Sequence, residues 1–228
     1  MARKKRSYGR WIIIAAAVLI VLLAVVEYKP LIGQNAPKQL PSVEIRDYNG
    51  TRLDSINDFH ENSIKGPQYI DKGTYRLKIS GLVADPQEYT YDQILGHQSY
   101  KKVVTLNCVE GWSVTILWEG VLLNDIIAEA KPLPSAKVAI FHAYDGYTVT
   151  YPLDYLTQNS LLLAYKMNDV VLPPERGFPF QLVAESKWGY KWIKWITEIE
   201  FTDDTNYKGY WESRGYSKSG DLNESFYG

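Results

Sequence analysis

Cysteine is almost missing from this chain. Cys108 is the only one in 228 residues, so no intrachain disulfide can form and a four-cysteine zinc site is excluded. Histidine is scarce as well. His60, His97 and His142 stand alone, no two at metal-ligand spacing, and there is no His-Glu-x-x-His run. Also absent are a Gly-x-Ser-x-Gly elbow, a phosphate loop, a Gly-x-Gly-x-x-Gly turn and a Cys-x-x-Cys-His haem attachment. Excess charge is lacking: 25 Lys+Arg against 26 Asp+Glu leave a net charge of -1, too little positive charge for a chain that grips nucleic acid by counterion release. There is no internal repeat and no low-complexity block. What remains is 46% hydrophobic and 14% aromatic, which excludes a disordered or collagen-like chain. The length suits one domain with a tail.

The first thirty residues read as an address. Residues 1–10 are basic, through Arg3, Lys4, Lys5, Arg6 and Arg10. Residues 11–28 follow with an uncharged run from Trp11 to Val26, a little short of the roughly 20 residues that span a bilayer core. Tyr8, Trp11 and Tyr28 flank it as interfacial aromatics, and the basic cluster is expected on the cytoplasmic side. No small-x-small cleavage site follows at Val25, Val26 and Glu27, so a retained transmembrane anchor is expected rather than a cleaved signal. Lys5-Arg6-Ser7-Tyr8 also reads as a degenerate twin-arginine export signal. Residues 29–43, with Pro30, Gly33, Pro37 and Pro41, form an extended linker. The globular domain then occupies 44–228, on the periplasmic or extracellular side.

Within it, Tyr75 to Ser80 alternates apolar and polar residues and predicts a half-buried strand closed by Gly81. Val103–Leu106, Val138–Phe141, Tyr147–Tyr151, Leu161–Lys166 and Phe180–Val183 read as further strands. Leu122, Leu123, Ile126, Ile127 and Ala130 repeat at helical spacing before Pro132 and Pro134. Tyr190–Phe201 reads as two short strands or one bent one. Strands outnumber helices without regular alternation, which predicts an α+β fold with a mixed sheet.

Two clusters could carry chemistry. A free cysteine is most often an inert buried thiol. Cys108, however, sits just past a strand in the polar turn Asn107-Cys108-Val109-Glu110-Gly111-Trp112-Ser113. In an oxidising compartment an unpaired thiol needs burial or a bond to something. A transition metal would serve, with its other ligands from a cofactor carrying its own sulfurs. The second cluster is Ser186 to Trp195, where Lys187, Lys191 and Lys194 interleave with aromatics. With Gly189 allowing close approach, it reads equally as a phosphate site or as a solvated strand whose lysines snorkel over aromatics.

The two clusters occur in the order and spacing found in molybdopterin enzymes of the sulfite oxidase superfamily. Asn57-Asp58-Phe59-His60-Glu61, Trp118-Glu119-Gly120, Asp145-Gly146-Tyr147, Arg176 to Val183 and the tail Gly209 to Tyr216 match as well. From about residue 44 onward the chain resembles the periplasmic branch that includes methionine sulfoxide reductases. The resemblance implies a molybdenum–molybdopterin cofactor, with Cys108 as the protein ligand to the metal and the pterin dithiolene supplying other sulfurs. It places Asn57, His60 and Glu61 against the pterin, and Trp192, Ile193 and Lys194 against its phosphate. Three positions depart from the pattern: Arg176 replaces a family asparagine, Gln181 a family arginine, and Ala143 stands near a family threonine. Either backbone replaces those contacts, or Arg176 and Gln181 exchange roles.

Such a centre moves an oxygen atom with two electrons. Sulfite oxidases place arginines a few residues after the ligand cysteine. Here that place is Trp112-Ser113, and no arginine lies between Arg76 and Arg176. No counterpart of their extra C-terminal dimerisation domain is matched either, and a monomeric catalytic domain is expected. Reduction of a neutral S-oxide or N-oxide is therefore expected, with Trp112 and Trp118 either as an apolar wall or as core. Electrons would come from a membrane cytochrome or quinol-linked donor. A sulfite-type oxidase, a cofactor-holding electron-transfer or assembly component, and a non-catalytic ligand-binding module in which Cys108 is incidental are the alternatives.

Overall fold

The computed structural model describes residues 44–228, so the expected basic segment, anchor and linker lie outside the described residues. Among the described residues no helix is long and apolar enough to cross a membrane. A two-residue hairpin, β1 (Asp47–Tyr48) with β2 (Thr51–Arg52), opens the domain. One five-stranded sheet uses β3 (Arg76–Gly81), β4 (Gln87–Thr90), β7 (Val138–Ala143), β8 (Thr148–Pro152) and β12 (Ile196–Thr202), in the order β4-β3-β12-β7-β8. The other uses β5 (Ser99–Asn107), β6 (Ser113–Leu122), β9 (Leu162–Met167), β10 (Val170–Val171) and β11 (Gln181–Val183). Here β9 pairs β6 on one edge and β10 and β11 in tandem on the other. Every pairing is antiparallel except β3 with β12, so the expected mixed sheet is present. The domain is mostly β. Among the described residues its helical share is three short α-helices, α1 (Tyr91–Leu95), α2 (Leu123–Ala130) and α3 (Leu153–Gln158), and three 3-10 turns.

The local causes are direct. In β3, Leu77 and Ile79 are buried while Arg76 and Lys78 face solvent, the two-residue period of a strand with one face on the core. In α2, Leu123, Ile126, Ile127 and Ala130 form the buried stripe, and Lys131 in the left-handed conformation ends it ahead of Pro132. Thr90 and Gln93 close a reciprocal capping box at the start of α1. Side chains of both sheets and all three helices share one core cluster, among them Leu77, Phe141, Trp118, Ile94, Ile126 and Leu156.

The longest strand, β6, has no alternating signature. Ile116 through Val121 are all buried because β6 is covered on both faces, and such a strand reads as a continuous run broken here by Glu119-Gly120. The break is a register shift. A Cβ on Gly120 would lie 2.4 Å from the Leu163 carbonyl, so only glycine lets β9 approach. The stretch from Tyr190 to Phe201 also differs from expectation. Gly189–Lys191 is a 3-10 turn, Trp192 to Trp195 is irregular, and the strand begins only at Ile196.

Glu44 ties the start of the domain to the second sheet. Its carboxylate accepts from Ile56 N–H at 2.9 Å and from Asn168 Nδ2 at 3.1 Å. Asn168, fully buried in the β9–β10 turn, also donates to the Asp54 carbonyl at 2.8 Å and accepts from Leu117 N–H at 3.0 Å.

His97, just past α1, has its charged form favoured by its partners. Burial works against the charge, but Glu129 at 3.0 Å and the carbonyls of Ile94 and Gln93 outweigh it, so its pKa rises. The stability it contributes is therefore complete below the unfolded value of about 6.5 and is lost as pH rises through the raised native value. The partner is half exposed, which limits the contribution to about 1 kcal/mol or less. Glu129→Gln is expected to lower the His97 titration midpoint, read by proton NMR, and to flatten the stability profile above pH 6.5.

Candidate active site

β5 and β6 pair as far as Asn107 and Ser113, and residues 108–112 turn the chain between them. Cys108 N–H donates to the Trp112 carbonyl at 2.9 Å, and Gly111 N–H to the Cys108 carbonyl at 3.1 Å. Gly111 takes φ 89°, which a side chain would strain. The turn leaves Cys108 buried at the edge of the core and facing a cavity of about 290 Å³.

The floor beside the thiol is the chain itself. Asn107 bridges to Trp188 in parallel register, and a Cβ on Gly189 would stand 3.2 Å from the Asn107 carbonyl and 3.5 Å from Cys108 Cα. The close approach that Gly189 permits is thus made by backbone. On one side, residues 59–64 contribute Phe59, His60, Asn62, Ser63 and Ile64. On another stand Glu175, Arg176 and Gln181, with Trp192 to Trp195. The β7–β8 turn adds Asp145 and Tyr147, and the tail adds Trp211 and Tyr216.

Arg176 organises the first of these segments. It donates to three carbonyls, Ile56 at 2.9 Å, Phe59 at 2.6 Å and His60 at 3.2 Å, and stacks 3.7 Å over the Phe59 ring. Burial lowers its pKa, with Glu61 and Glu175 opposing. Five N–H donors less these bonds leaves N–H groups unspent. Lys194 donates to Glu61 at 2.6 Å and to the Glu175 carbonyl at 3.1 Å. Burial pulls its pKa down, and Glu61 works the other way.

Burial likewise pushes the Cys108 thiol up, while N–H groups of Glu110 and Asn62 oppose it. The Glu110 carboxylate is held low by Trp112 Nε1 at 2.9 Å and Asn62 Nδ2 at 3.0 Å.

Seven residues singled out from sequence line one cavity: His60, Cys108, Arg176, Gln181, Trp192, Ile193 and Lys194. Glu61 stands behind Lys194 as its ion partner. Asn57 is exposed and outside the lining, and Ala143 is buried at the base of the β7–β8 turn. Trp112 lines the cavity, whereas Trp118 is core, packed on Trp192. The three lysines divide. Lys191 is fully buried on Glu212 at 2.6 Å, Lys187 binds Asp221 at 2.5 Å, and only Lys194 reaches the cavity. Sequence reasoning passed over Asn62 and Ser63. Ser63 carries no pattern signal; its buried hydroxyl, without a partner, shows only in three dimensions.

Residues 64–211 match the family described as oxidoreductase molybdopterin binding domain. The chain belongs to that family. It is 35% identical over 156 residues to the uncharacterized oxidoreductase YuiH of Bacillus subtilis, covering 68% of this chain and 78% of that protein. It is 31% identical over 170 residues to the protein-methionine-sulfoxide reductase catalytic subunit MsrP of Campylobacter jejuni, and 30% identical over 148 residues to the putative protein-methionine-sulfoxide reductase subunit YedZ1 of Azospira oryzae. The chain spans only 57% and 56% of those two proteins. The sulfane dehydrogenase SoxCD of Paracoccus pantotrophus shares the fold, with a TM-score of 0.60 at 24% identity over 68% of this chain and 43% of that one.

The cavity fits the group the family is described by. Molybdopterin brings soft sulfur and an anionic phosphate. The cavity offers one thiol as a soft ligand, two cations, Arg176 buried and Lys194 partly buried, and an orphaned hydroxyl at Ser63. Among the described residues no three His, Cys, Asp or Glu side chains cluster to hold a metal alone, so the remaining ligands would come from the group.

Proposed function

We propose that this protein is a molybdenum–molybdopterin oxidoreductase that reduces a neutral S-oxide or N-oxide by two-electron oxygen-atom transfer. The group, when bound, supplies that redox chemistry. Cys108 ligates its metal. Arg176, Lys194 and Ser63 hold its anionic part, and Trp192 and Ile193 flank it. Phe59 and Trp112, 5.6 Å apart, exclude water from one wall.

One observation carries the direction of the reaction. The charged group beside the thiol is a carboxylate, Glu110, and the cavity's arginine, Arg176, is committed to three carbonyls and, in this reading, to the anionic part of the group. An anion such as sulfite would meet repulsion where an arginine fork is needed. The sulfoxide reductase names of two relatives support the same reading. The basic and apolar segments before residue 29 support an anchored chain with its domain on the extracytoplasmic side. The electrons come from an external donor, and the word subunit in one relative's name supports a partner chain in that role.

The test is a substrate comparison on purified holoenzyme. With a reduced viologen as donor, dimethyl sulfoxide, trimethylamine N-oxide or a methionine-sulfoxide peptide is expected to turn over faster than sulfite does with ferricyanide. Faster sulfite oxidation would overturn the reductase reading.

A further inference from the structure

Asn62 lies in the cavity wall, two residues past the segment that Arg176 clamps, and its Nδ2 meets two acceptors. It stands 3.0 Å from Glu110 Oε2 and 3.8 Å from Cys108 Sγ. The orientation of the amide is determined by chemistry. A carboxylate only accepts, so the amide atom facing Glu110 must be the nitrogen, and that same nitrogen carries a second N–H for the sulfur. Glu110 is itself fixed by Trp112 Nε1 at 2.9 Å. Upstream, the carbonyls of Ile56, Phe59 and His60 are gripped by Arg176. Phe59 packs between Arg176 at 3.7 Å and Trp112 at 5.6 Å. The donor is therefore held from both sides, through its own segment and through the cysteine turn.

We propose that Asn62 is a positioning residue that acts through Cys108, its N–H withdrawing electron density from the thiolate and raising the reduction potential of the metal that the thiolate binds. The inference rests on the molybdopterin reading above. A donor to a ligand sulfur makes the thiolate a weaker electron donor, which favours the reduced metal. Glu110 is part of the device, because without it the amide could flip and present its oxygen to the sulfur.

The experiment is an EPR-monitored redox titration of the holoenzyme, with molybdenum content measured on the same samples. Asn62→Leu keeps the volume and removes the donor; Asn62→Gln keeps the donor on a longer arm. The expected result is full molybdenum in all three proteins, a midpoint lower in Asn62→Leu than in wild type, and an intermediate midpoint in Asn62→Gln. Equal midpoints in wild type and Asn62→Leu at equal metal content would overturn the role of Asn62 and leave the cofactor reading standing. A folded wild type without molybdenum would overturn both, and the metal analysis distinguishes that case.

Discussion

Cys108→Ser is expected to lower oxide turnover by at least ~100-fold while the protein stays folded. Outer contacts of a metal site typically cost about 10–100-fold when removed, and the ligand itself stands closer to the chemistry. Serine nearly matches cysteine in size, so the turn held by Cys108 N–H, Gly111 N–H and the Trp112 carbonyl survives. Serine, however, is a hard oxygen ligand whose proton is not released near neutral pH, whereas a thiolate is soft and suits molybdenum. The thermal midpoint is expected to move little, because the substituted atom faces the cavity. Full turnover by Cys108→Ser would show that the thiol is incidental to catalysis and would overturn its role as the ligand to the metal.

Lys191→Met is expected to destabilise the domain by about 3–5 kcal/mol, the usual cost of stranding half of a buried ion pair. Lys191 is fully buried, and its ammonium donates to Glu212 at 2.6 Å, to the Thr150 carbonyl at 2.7 Å and to the Lys218 carbonyl at 2.8 Å. Burial pulls its pKa down to about 8, with Glu212 opposing. Methionine fills the volume but leaves a carboxylate and two carbonyls short of a donor. Glu212 keeps Gly209 N–H at 2.7 Å and the Thr150 hydroxyl at 2.8 Å, which do not neutralise its charge. For a chain of this size that loss corresponds to roughly 10 °C in midpoint by differential scanning calorimetry. The double variant Lys191→Met with Glu212→Gln is expected to recover much of it. Because Gly189 and Tyr190 line the cavity, the single variant should also load less cofactor. An unchanged midpoint would show that the pair does not anchor the turn.

These residues also show where sequence reading succeeds and where it stops. The strand β3, with one face on the core, and the helix α2 announce themselves by periodicity, since one side of each is wet or packs at a regular interval. β6 has no such signal because both its faces are covered, and Gly120 within it reads as a turn residue although its task is to admit Leu163. At the site, Cys108 stood out by being alone. The lysine cluster was visible as a cluster, but its division was not: Glu212 and Asp221, which take Lys191 and Lys187, lie more than twenty residues downstream. Arg176 was legible as a departure from a family pattern, and its grip on three carbonyls of residues 56–60 was not. Asn62 gave no signal of any kind, since an exposed asparagine in a loop is ordinary until a sulfur is found 3.8 Å away.

The central claim is that this cavity holds molybdenum through Cys108. The most direct measurement is the molybdenum content of the full chain, produced where the pterin is synthesised, with Cys108→Ser alongside. Near-stoichiometric molybdenum in the wild type, with loss of the metal or an altered metal spectrum in Cys108→Ser, is the predicted result. A folded wild type that carries no molybdenum under those conditions, or a Cys108→Ser variant with metal content and spectrum unchanged, would contradict it.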